Sequence, residues 1–276
     1  MPEFDAYSAT TRAAKPETFL GMLWKPGFEV REGRGFHGFE RRISVKCGQT
    51  RDEVGAVSFG GTHGDLVMVE AKGFTTTEVI ERIRQEVPDH NCTRVDSCHD
   101  ADVPGAWESY LEIVQDVKAR HKIVGEKRGD WDHHPELGRT VYLGAASSPV
   151  RLRLYEKGKQ PEYRHACREN WVRIECQVRP QKDARQVYST VSASDVWGAS
   201  KFTREIASRA FALDAGLFPA GGVKKENDLE RRLHFMVKQY APTLLELRDA
   251  VGTWECVGKT LEEMVKAQRR GRAGRG

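Results

Sequence analysis

The sequence predicts an α+β fold, in which a mostly antiparallel sheet is covered by helices and followed by a helical C-terminal part. Short apolar runs separated by glycine fill most of the first two-thirds of the chain and are typical of strands. Two amphipathic helical patterns interrupt these runs, and helical patterns dominate the chain after Pro180. A strand-rich stretch crossed by a few helices is typical of a sheet covered by helices on one face.

The predicted elements follow one another with clear boundaries. Strand patterns occur in GFERRISVKC, EVGAVSFGG and LVMVEAKG, then in CTRVDSC, RTVYLGA, VRLRLYEK and WVRIECQVRP. A helix is predicted in TTTEVIERIRQEV, where threonines offer a cap and Pro88 ends the pattern. A second helix is predicted in GAWESYLEIVQDVKARHK, and the Ser147-Ser148-Pro149 turn joins two strands into a hairpin.

Residues 1–200 are predicted to form the sheet domain, and residues 201–276 a helical region that ends in a basic tail. No apolar run is long enough to cross a bilayer, and the N-terminus lacks the apolar core of a signal peptide, so we expect a cytoplasmic protein. The net charge is only +4, which does not by itself identify a nucleic-acid partner. Basic side chains nevertheless concentrate in RLRLYEKGKQ and in the tail, where they favour phosphate.

Three acidic side chains are predicted to lie on the polar side of apolar strands. Glu70, Asp96 and Glu175 each follow an aliphatic residue, in the phrases MVE, RVD and RIE. Because successive residues of a strand point to opposite faces, each acid faces away from the apolar side. If the strands are neighbours, the carboxylates converge and repel one another, and a divalent cation removes that penalty. Ligation by oxygen alone indicates Mg²⁺ or Mn²⁺.

Tyr155 is predicted to share its strand face with Arg151 and Arg153, and Lys157 and Lys159 follow closely. Positive neighbours favour phenolate over phenol and attract phosphate. A phenolate can attack a phosphodiester and form a covalent intermediate. The pattern therefore indicates a tyrosine nucleophile beside a metal.

The ordered set TRVDSCHD, RTVYLGAASSPVRLRLYEKGKQ and WVRIECQVRP resembles the Rep_trans replication initiation factors, over roughly residues 60–180. Among them the replication proteins of filamentous phages are the most similar type. The resemblance implies a fold related to the His-hydrophobic-His nickases but lacking their motif. It also implies an activity, namely nicking of one DNA strand at a rolling-circle origin and later rejoining through a 5′-phosphotyrosine.

The resemblance also implies roles for particular residues. It makes Tyr155 the nucleophile, through the phrase Arg153-Leu154-Tyr155, and makes Asp96, Glu175 and Glu70 the metal ligands. Plasmid members of the family tend to carry a second acid where this chain has Gln177. Arg153 and Arg151 are expected to assist catalysis. The expected contacts to DNA are Lys157, Lys159, Arg173 and Arg94, with Arg41, Arg42 and the tail as further candidates.

The expected partner is origin DNA that is single-stranded or extruded. A host helicase is also expected, because the chain has no phosphate-binding G-x-x-x-x-G-K-[ST] sequence of its own, and a homodimer is compatible with the sequence.

Two alternatives stay open. The chain could be a non-catalytic single-stranded DNA-binding protein with an RNA-recognition-like sheet, in which Phe59, Tyr142 and Tyr155 stack on bases. The three acids disfavour this reading, because carboxylates repel phosphate. Separately, the stretch GDWDHHPE offers two aspartates and two histidines to a metal, although a polar loop is favoured there.

Overall fold

The computed structural model describes residues 1–221 and 228–273. The chain forms two compact units, Met1–Gly222 and Val223–Gly276. The first unit is an α+β domain built on one large antiparallel sheet, and the second is helical, as the sequence predicts. In the described part of the chain, no helix is both long enough and apolar enough to cross a membrane.

The strands of the sheet are β1 Glu3–Thr11, β2 Phe28–Arg34, β3 Arg41–Cys47, β4 Glu53–Phe59, β5 Val67–Lys72, β6 Asn91–Asp102, β7 Gly125–Arg128, β8 Thr140–Leu143, β9 Val150–Tyr155 and β10 Trp171–Val178. The helices are α1 Pro16–Leu23, α2 Thr76–Glu86, α3 Ala106–Arg120, α4 Ala184–Val187, α5 Lys201–Phe211, α6 Asp228–Val251 and α7 Trp254–Ala273. Short 3₁₀ turns connect several of these elements.

The ten strands lie in the order β2-β3-β4-β5-β1-β6-β10-β9-β8-β7, and every neighbouring pair is antiparallel. One face is apolar and is covered by helices. Phe19 of α1, Ile80 of α2 and Val114 of α3 pack there against strand residues such as Val69 and Ile174, all of them buried. Each such side chain stabilises the fold by roughly 1.5–3 kcal/mol. The other face is polar, because strand residues alternate.

The sheet is built from two halves with the same order of elements. Each half has a strand, a helix and a four-stranded meander whose last strand returns beside the first. The first half contains β1, α1 and β2–β5, and the second contains β6, α3 and β7–β10. The antiparallel pair β1–β6 joins them at the centre of the sheet. Glu70 and Glu175 occupy matching strands of the two halves. Glu70 lies on β5, between β1 and β4, and Glu175 lies on β10, between β6 and β9.

Strand β1 lies in the middle of the sheet, although no strand pattern predicts it from the sequence. Its inward side chains include Tyr7, Ala9 and Thr11, which are small or partly polar and give no apolar run. The pairing of β1 with β6 shifts register between Phe4 and Ala6, so that Asp5 is left without a partner in the ladder. This bulge re-aims the backbone at Asp5.

The helix α5 belongs to the sheet unit, because the compact units divide after Gly222 and not after residue 200, where we predicted the boundary. A capping box formed by Ser200 and Thr203 starts this helix. Ile206 is fully buried in the same core as Trp197, which explains why α5 stays with the sheet.

Candidate active site on the polar face

The polar face of β9, β10 and β6 carries the predicted nucleophile and two of the predicted acids. Tyr155 lies opposite Arg173, Arg153 opposite Glu175, and Gln177 opposite Asp96. Glu175 is therefore a diagonal neighbour of both Tyr155 and Asp96, at a spacing that long side chains can bridge. These three residues share one face, as the strand phase predicts.

Both acids of this group are buried. Asp96 is 3% exposed and Glu175 is 8% exposed. Burial raises the pKa of Asp96, although its contact with Arg94 opposes the shift. The pKa of Glu175 is also raised, first by burial and then by the nearby carboxylate of Asp5. Buried carboxylates that resist ionisation lack sufficient positive charge around them, which is typical of functional sites.

Asp5 is a further acid of this site that sequence reasoning missed. Its carboxyl group lies within hydrogen-bond reach of Glu175, and its charge also raises the pKa of Asp96 and of Tyr155. The aliphatic-acid phrase that marked the other three acids is absent, because Asp5 follows Phe4. Only a correct prediction of strand β1 and of its bulge could have identified this residue from the sequence.

Glu70 lies further from the group. Its strand β5 is separated from β6 by β1, and Glu70 is level with Ser8 and Arg94, one row away from Asp96. A carboxylate oxygen of Glu70 lies 3.4 Å from Arg42 Nη2. Glu70 and Glu175 lie on matching strands of the two halves. This explains why both follow an aliphatic residue and face the polar side although they lie apart.

Arg94 supplies the positive charge that these acids share. Its Nε donates to both carboxylate oxygens of Asp96, at 2.9 and 3.1 Å. Asp96, Glu175 and Glu70 together raise the pKa of Arg94, although burial alone would lower it. Of the three acids that we predicted around a metal, Asp96 contacts this guanidinium, and Glu175 and Glu70 act on it only through their charge.

In residues 1–221 and 228–273, no group of three or more His, Cys, Asp or Glu side chains is arranged to hold a metal ion. Asp96 is held by Arg94 and also accepts a hydrogen bond from Gln177 Nε2 at 3.3 Å. The donor set still fits a hard divalent cation, because Asp96, Glu175 and Asp5 offer only oxygen atoms and their repulsion is incompletely neutralised. Such a cation would have to take the place of the Arg94 guanidinium.

Tyr155 is only 4% exposed, and the guanidinium carbon of Arg153 lies 3.8 Å from the centre of its ring. Burial raises the pKa of Tyr155 above its ordinary value, and Glu175 raises it further, against the weaker opposite effects of Arg173 and Arg153. The positive neighbours Arg173 and Arg153 do lower the pKa of the phenol, as expected, but burial has the larger effect. The phenol keeps its proton, so an attack by its oxygen requires a proton acceptor.

The predicted DNA contacts fall into different surroundings. Arg173 is 8% exposed and binds Asp100 through two hydrogen bonds of 2.6 and 2.7 Å, while its remaining nitrogen pairs with Asp5. Lys157 is 5% exposed, and its Nζ lies 4.6 and 4.5 Å from the ring centres of Tyr163 and Trp171. Both side chains are therefore enclosed, Arg173 by carboxylates and Lys157 by aromatic rings.

The other predicted basic residues are less enclosed. Lys159 Nζ pairs with Glu156 at 2.7 Å. Arg151 stacks on Tyr142, with its guanidinium carbon 3.9 Å from the ring centre. Arg151 and Arg153 each have a buried Nε without a hydrogen-bond partner in the described part of the chain. Unpaired donors of this kind on arginine fit an anion that approaches the polar face.

The acids and arginines line two adjoining clefts. The larger has a volume of about 730 Å³ and includes Asp5, Asp96 and Glu175 in its wall, together with Arg173 and Trp171. A smaller cleft of about 270 Å³ shares Arg94, Asp96, Arg153 and Glu175 with it. The two clefts provide room for a ligand along the polar face.

The rival stretch GDWDHHPE forms a polar loop, as favoured. Asp130 accepts hydrogen bonds from the backbone N–H groups of Asp132 and His133 at 3.1 and 2.8 Å, which is a local turn. His133 and His134 are exposed.

The raised pKa of Glu175 predicts a pH-dependent gain of stability in Glu175→Gln. The pKa of Glu175 is higher in the folded state than the unfolded value of 4.5, so ionisation of Glu175 destabilises the fold as the pH rises above 4.5. Below about pH 4.5 the carboxyl group is protonated in both states, and this destabilisation is absent. At about pH 8 the variant should be more stable than the wild type by roughly 0.5–2 kcal/mol and should therefore melt at a higher temperature. At about pH 4 the two proteins should be equally stable. Thermal melts at both pH values test this, and equal melting at about pH 8 would contradict it.

No family model matches the sequence, and no curated protein matches it. A solved rolling-circle replication initiator protein from Geobacillus stearothermophilus is similar to this chain, with 19% sequence identity and a TM-score of 0.49, over 71% of this chain and 82% of that chain. Similarity at this level transfers neither a fold nor an activity. The function is therefore inferred from the residues of the site.

Proposed function

We propose that this chain initiates rolling-circle DNA replication by cutting and rejoining one DNA strand through Tyr155. The observation that carries the proposal is the placement of a buried tyrosine next to Glu175 and Asp5, on the polar face that the helices leave open. A tyrosine that only packed the fold would not require carboxylates whose own burial destabilises the protein.

In the proposed reaction the Tyr155 oxygen attacks the phosphorus of the scissile phosphodiester. A new bond forms between phosphorus and the phenol oxygen, and the bond from phosphorus to the 3′ oxygen breaks. Glu175 and Asp5, whose charges both act on the phenol, are proposed to accept its proton, and the departing 3′ oxygen takes up a proton to become a hydroxyl. The phosphotyrosine conserves the bond energy, so rejoining requires no nucleotide.

Arg153 is proposed to assist by holding the phosphate and the ring together. Its guanidinium stacks on Tyr155 and lies 3.5 Å from Glu175, with Nε still unpaired. A divalent cation such as Mg²⁺ or Mn²⁺, bound by Asp96 and Glu175 with Glu70 or Asp5, would supply polarisation of the scissile phosphate. The substrate must offer a single backbone, so the proposed partner is single-stranded or extruded origin DNA in a bacterial cytoplasm, opened by a host helicase.

The alternative of a purely stacking DNA-binding sheet is weaker for this chain. The guanidinium carbons of Arg151 and Arg153 lie 3.9 and 3.8 Å from the ring centres of Tyr142 and Tyr155. Arg41 lies 4.9 Å from the ring centre of Phe59. All three aromatic faces that this alternative requires are thus already in contact with arginine, which leaves less surface for bases.

The proposal is tested with a random-sequence pool of labelled single-stranded oligonucleotides and Mn²⁺, followed by a denaturing gel. A covalent protein–DNA adduct is expected, and sequencing of the attached DNA would identify the recognised site. Retention of DNA in a native gel without any adduct would support the stacking protein and refute the enzyme.

A second experiment identifies the third acid of the site. Asp5 contacts Glu175, whereas Glu70 is paired with Arg42 and lies one row away. We therefore expect Asp5→Asn to reduce adduct formation by about 10²-fold or more, and Glu70→Gln to reduce it by less than about tenfold. Mn²⁺ affinity measured by calorimetry should follow the same order. The reverse order in both measurements would restore Glu70 as the ligand.

A further inference from the structure

The smaller cleft, named here the arginine cleft, lies beside the proposed reaction site on the same face of the sheet. Its volume is about 270 Å³, and its wall is dominated by basic side chains. Its lining consists of four arginines, two acids and three uncharged residues, namely Arg94, Arg151, Arg153, Arg179, Asp96, Glu175, Tyr142, Leu152 and Gln177. Arg153 and Glu175 belong to both clefts, so a molecule in the arginine cleft lies directly beside the proposed reaction site.

The positive charge in this cleft is incompletely balanced. Arg94 is paired with Asp96, and Arg153 lies 3.5 Å from Glu175. Arg151 has only a 3.5 Å contact with the half-exposed Glu126, and its buried Nε has no partner. In the part of the chain that the structure describes, Arg179 has no carboxylate partner and donates from Nη1 to the carbonyl oxygen of Ala146 at 2.6 Å.

Gln177 explains the imbalance. It lies in the ladder between Arg151 on β9 and Asp96 on β6, and all three residues line the cleft. An acid at this position would neutralise the surrounding arginines, but an amide does not. The pKa of Arg179 is lowered, first by burial and then by the charge of Arg94, which agrees with an excess of positive charge.

We propose that the arginine cleft binds an internucleotide phosphate of the DNA strand, one that flanks the phosphate attacked by Tyr155. The inference rests on the proposed function for the identity of the strand. Arginine presents planar pairs of donors that match phosphate oxygens, and a phosphate here compensates Arg151 and Arg179 together. Anchoring a neighbouring phosphate fixes the strand against sliding, so that one particular bond faces the phenol.

The test measures binding of a short fluorescein-labelled oligothymidylate by anisotropy at several salt concentrations, in a Tyr155→Phe background that cannot react. Arg151→Gln and Arg179→Gln should each weaken binding about tenfold at low salt. Each should also reduce the slope of log affinity against log salt by about 0.7, the value for one phosphate contact on a single strand. Circular dichroism melts confirm that the variants are folded.

Arg120→Gln is the matched control, because Arg120 lies on α3, which covers the opposite face of the sheet, and its side chain is half-exposed. Its slope should equal that of the parent protein. Unchanged slopes in both cleft variants would overturn the inference. Saturable binding of inorganic phosphate that depends on Arg179, with no change in the DNA slope, would assign the cleft to a free anion and would also overturn it.

The outcome separates this inference from the proposed function. Wild-type protein that forms an adduct while the cleft variants keep their slopes retains the enzyme and loses the phosphate site. Protein that never forms an adduct, but shows the reduced slopes, retains the phosphate site and loses the enzyme.

Discussion

Tyr155→Phe is expected to abolish the covalent protein–DNA adduct and to reduce strand cleavage by about four orders of magnitude or more. The substitution removes the single oxygen that would bond to phosphorus and leaves the ring in place. The stacking of Arg153 on the ring at 3.8 Å and the packing of β9 should therefore survive. Because the ring and its contact with Arg153 are kept, the substitution should leave thermal stability within about 0.5 kcal/mol of the wild type.

Tyr142→Phe is the matched control for this experiment. Tyr142 is on the same face and lies under Arg151 as Tyr155 lies under Arg153. Its hydroxyl has no proposed role, so the control should form adduct at close to the wild-type rate. An adduct that persists in Tyr155→Phe and disappears in Tyr142→Phe would move the nucleophile to the neighbouring strand, and persistence in both would refute a tyrosine intermediate at either position.

Arg173→Met is expected to lower the free energy of unfolding by about 3 kcal/mol. Arg173 is 8% exposed and joins Asp100 on β6 to Asp5 on β1, so its loss leaves two carboxylates with little compensation. Burial by itself lowers the pKa of this guanidinium, yet the hydrogen bonds to Asp100 and the charges of Asp5 and Asp100 together outweigh burial and raise it. Partial exposure of the two acids keeps the expected loss at the lower end of the range for buried pairs.

Urea denaturation measures this loss, and a second substitution separates charge from packing. In the double variant Arg173→Met, Asp100→Asn, one of the two carboxylates left without a partner is also removed. The double variant should therefore recover a substantial part of the stability that Arg173→Met alone loses. Asp100→Asn alone should cost less than Arg173→Met, because Asp5 remains as a partner. A loss below about 1 kcal/mol in Arg173→Met would show that the three-way ion pair contributes little.

Strands whose apolar residues alternate with polar ones could be predicted from sequence alone. The phrases RVD and RIE fix the phase of β6 and β10, and that phase places Asp96 and Glu175 on the polar face. β1 was missed because its inward positions are filled by Tyr7, Ala9 and Thr11 instead of a continuous aliphatic run. Strand β2 was missed because six of its seven residues are exposed and it has no apolar side.

The arrangement around the site depends on strand order, which sequence phase does not contain. Because β1 lies between β5 and β6, Glu70 is separated by one strand from Asp96, whereas Asp5 on β1 lies near Glu175. Which of the two acids belongs to the proposed metal site stays a prediction. The net effect of the surroundings on the pKa of Tyr155 could not be predicted from the sequence either. Counting nearby basic residues overlooks burial, and here burial has the larger effect on the phenol.

Because β1 pairs with β6, the polar face of the second half depends on a strand of the first half. A fragment beginning at residue 91 would retain five strands and the predicted nucleophile, but it would lack Asp5 and would leave the backbone of β6 unpaired on one side over residues 91–98. Such bare backbone invites pairing with foreign chains. The first half has no tyrosine at the position that matches Tyr155, yet it contributes strand β1 and the carboxylate of Asp5 to the second half. We therefore expect that the second half does not function without the first.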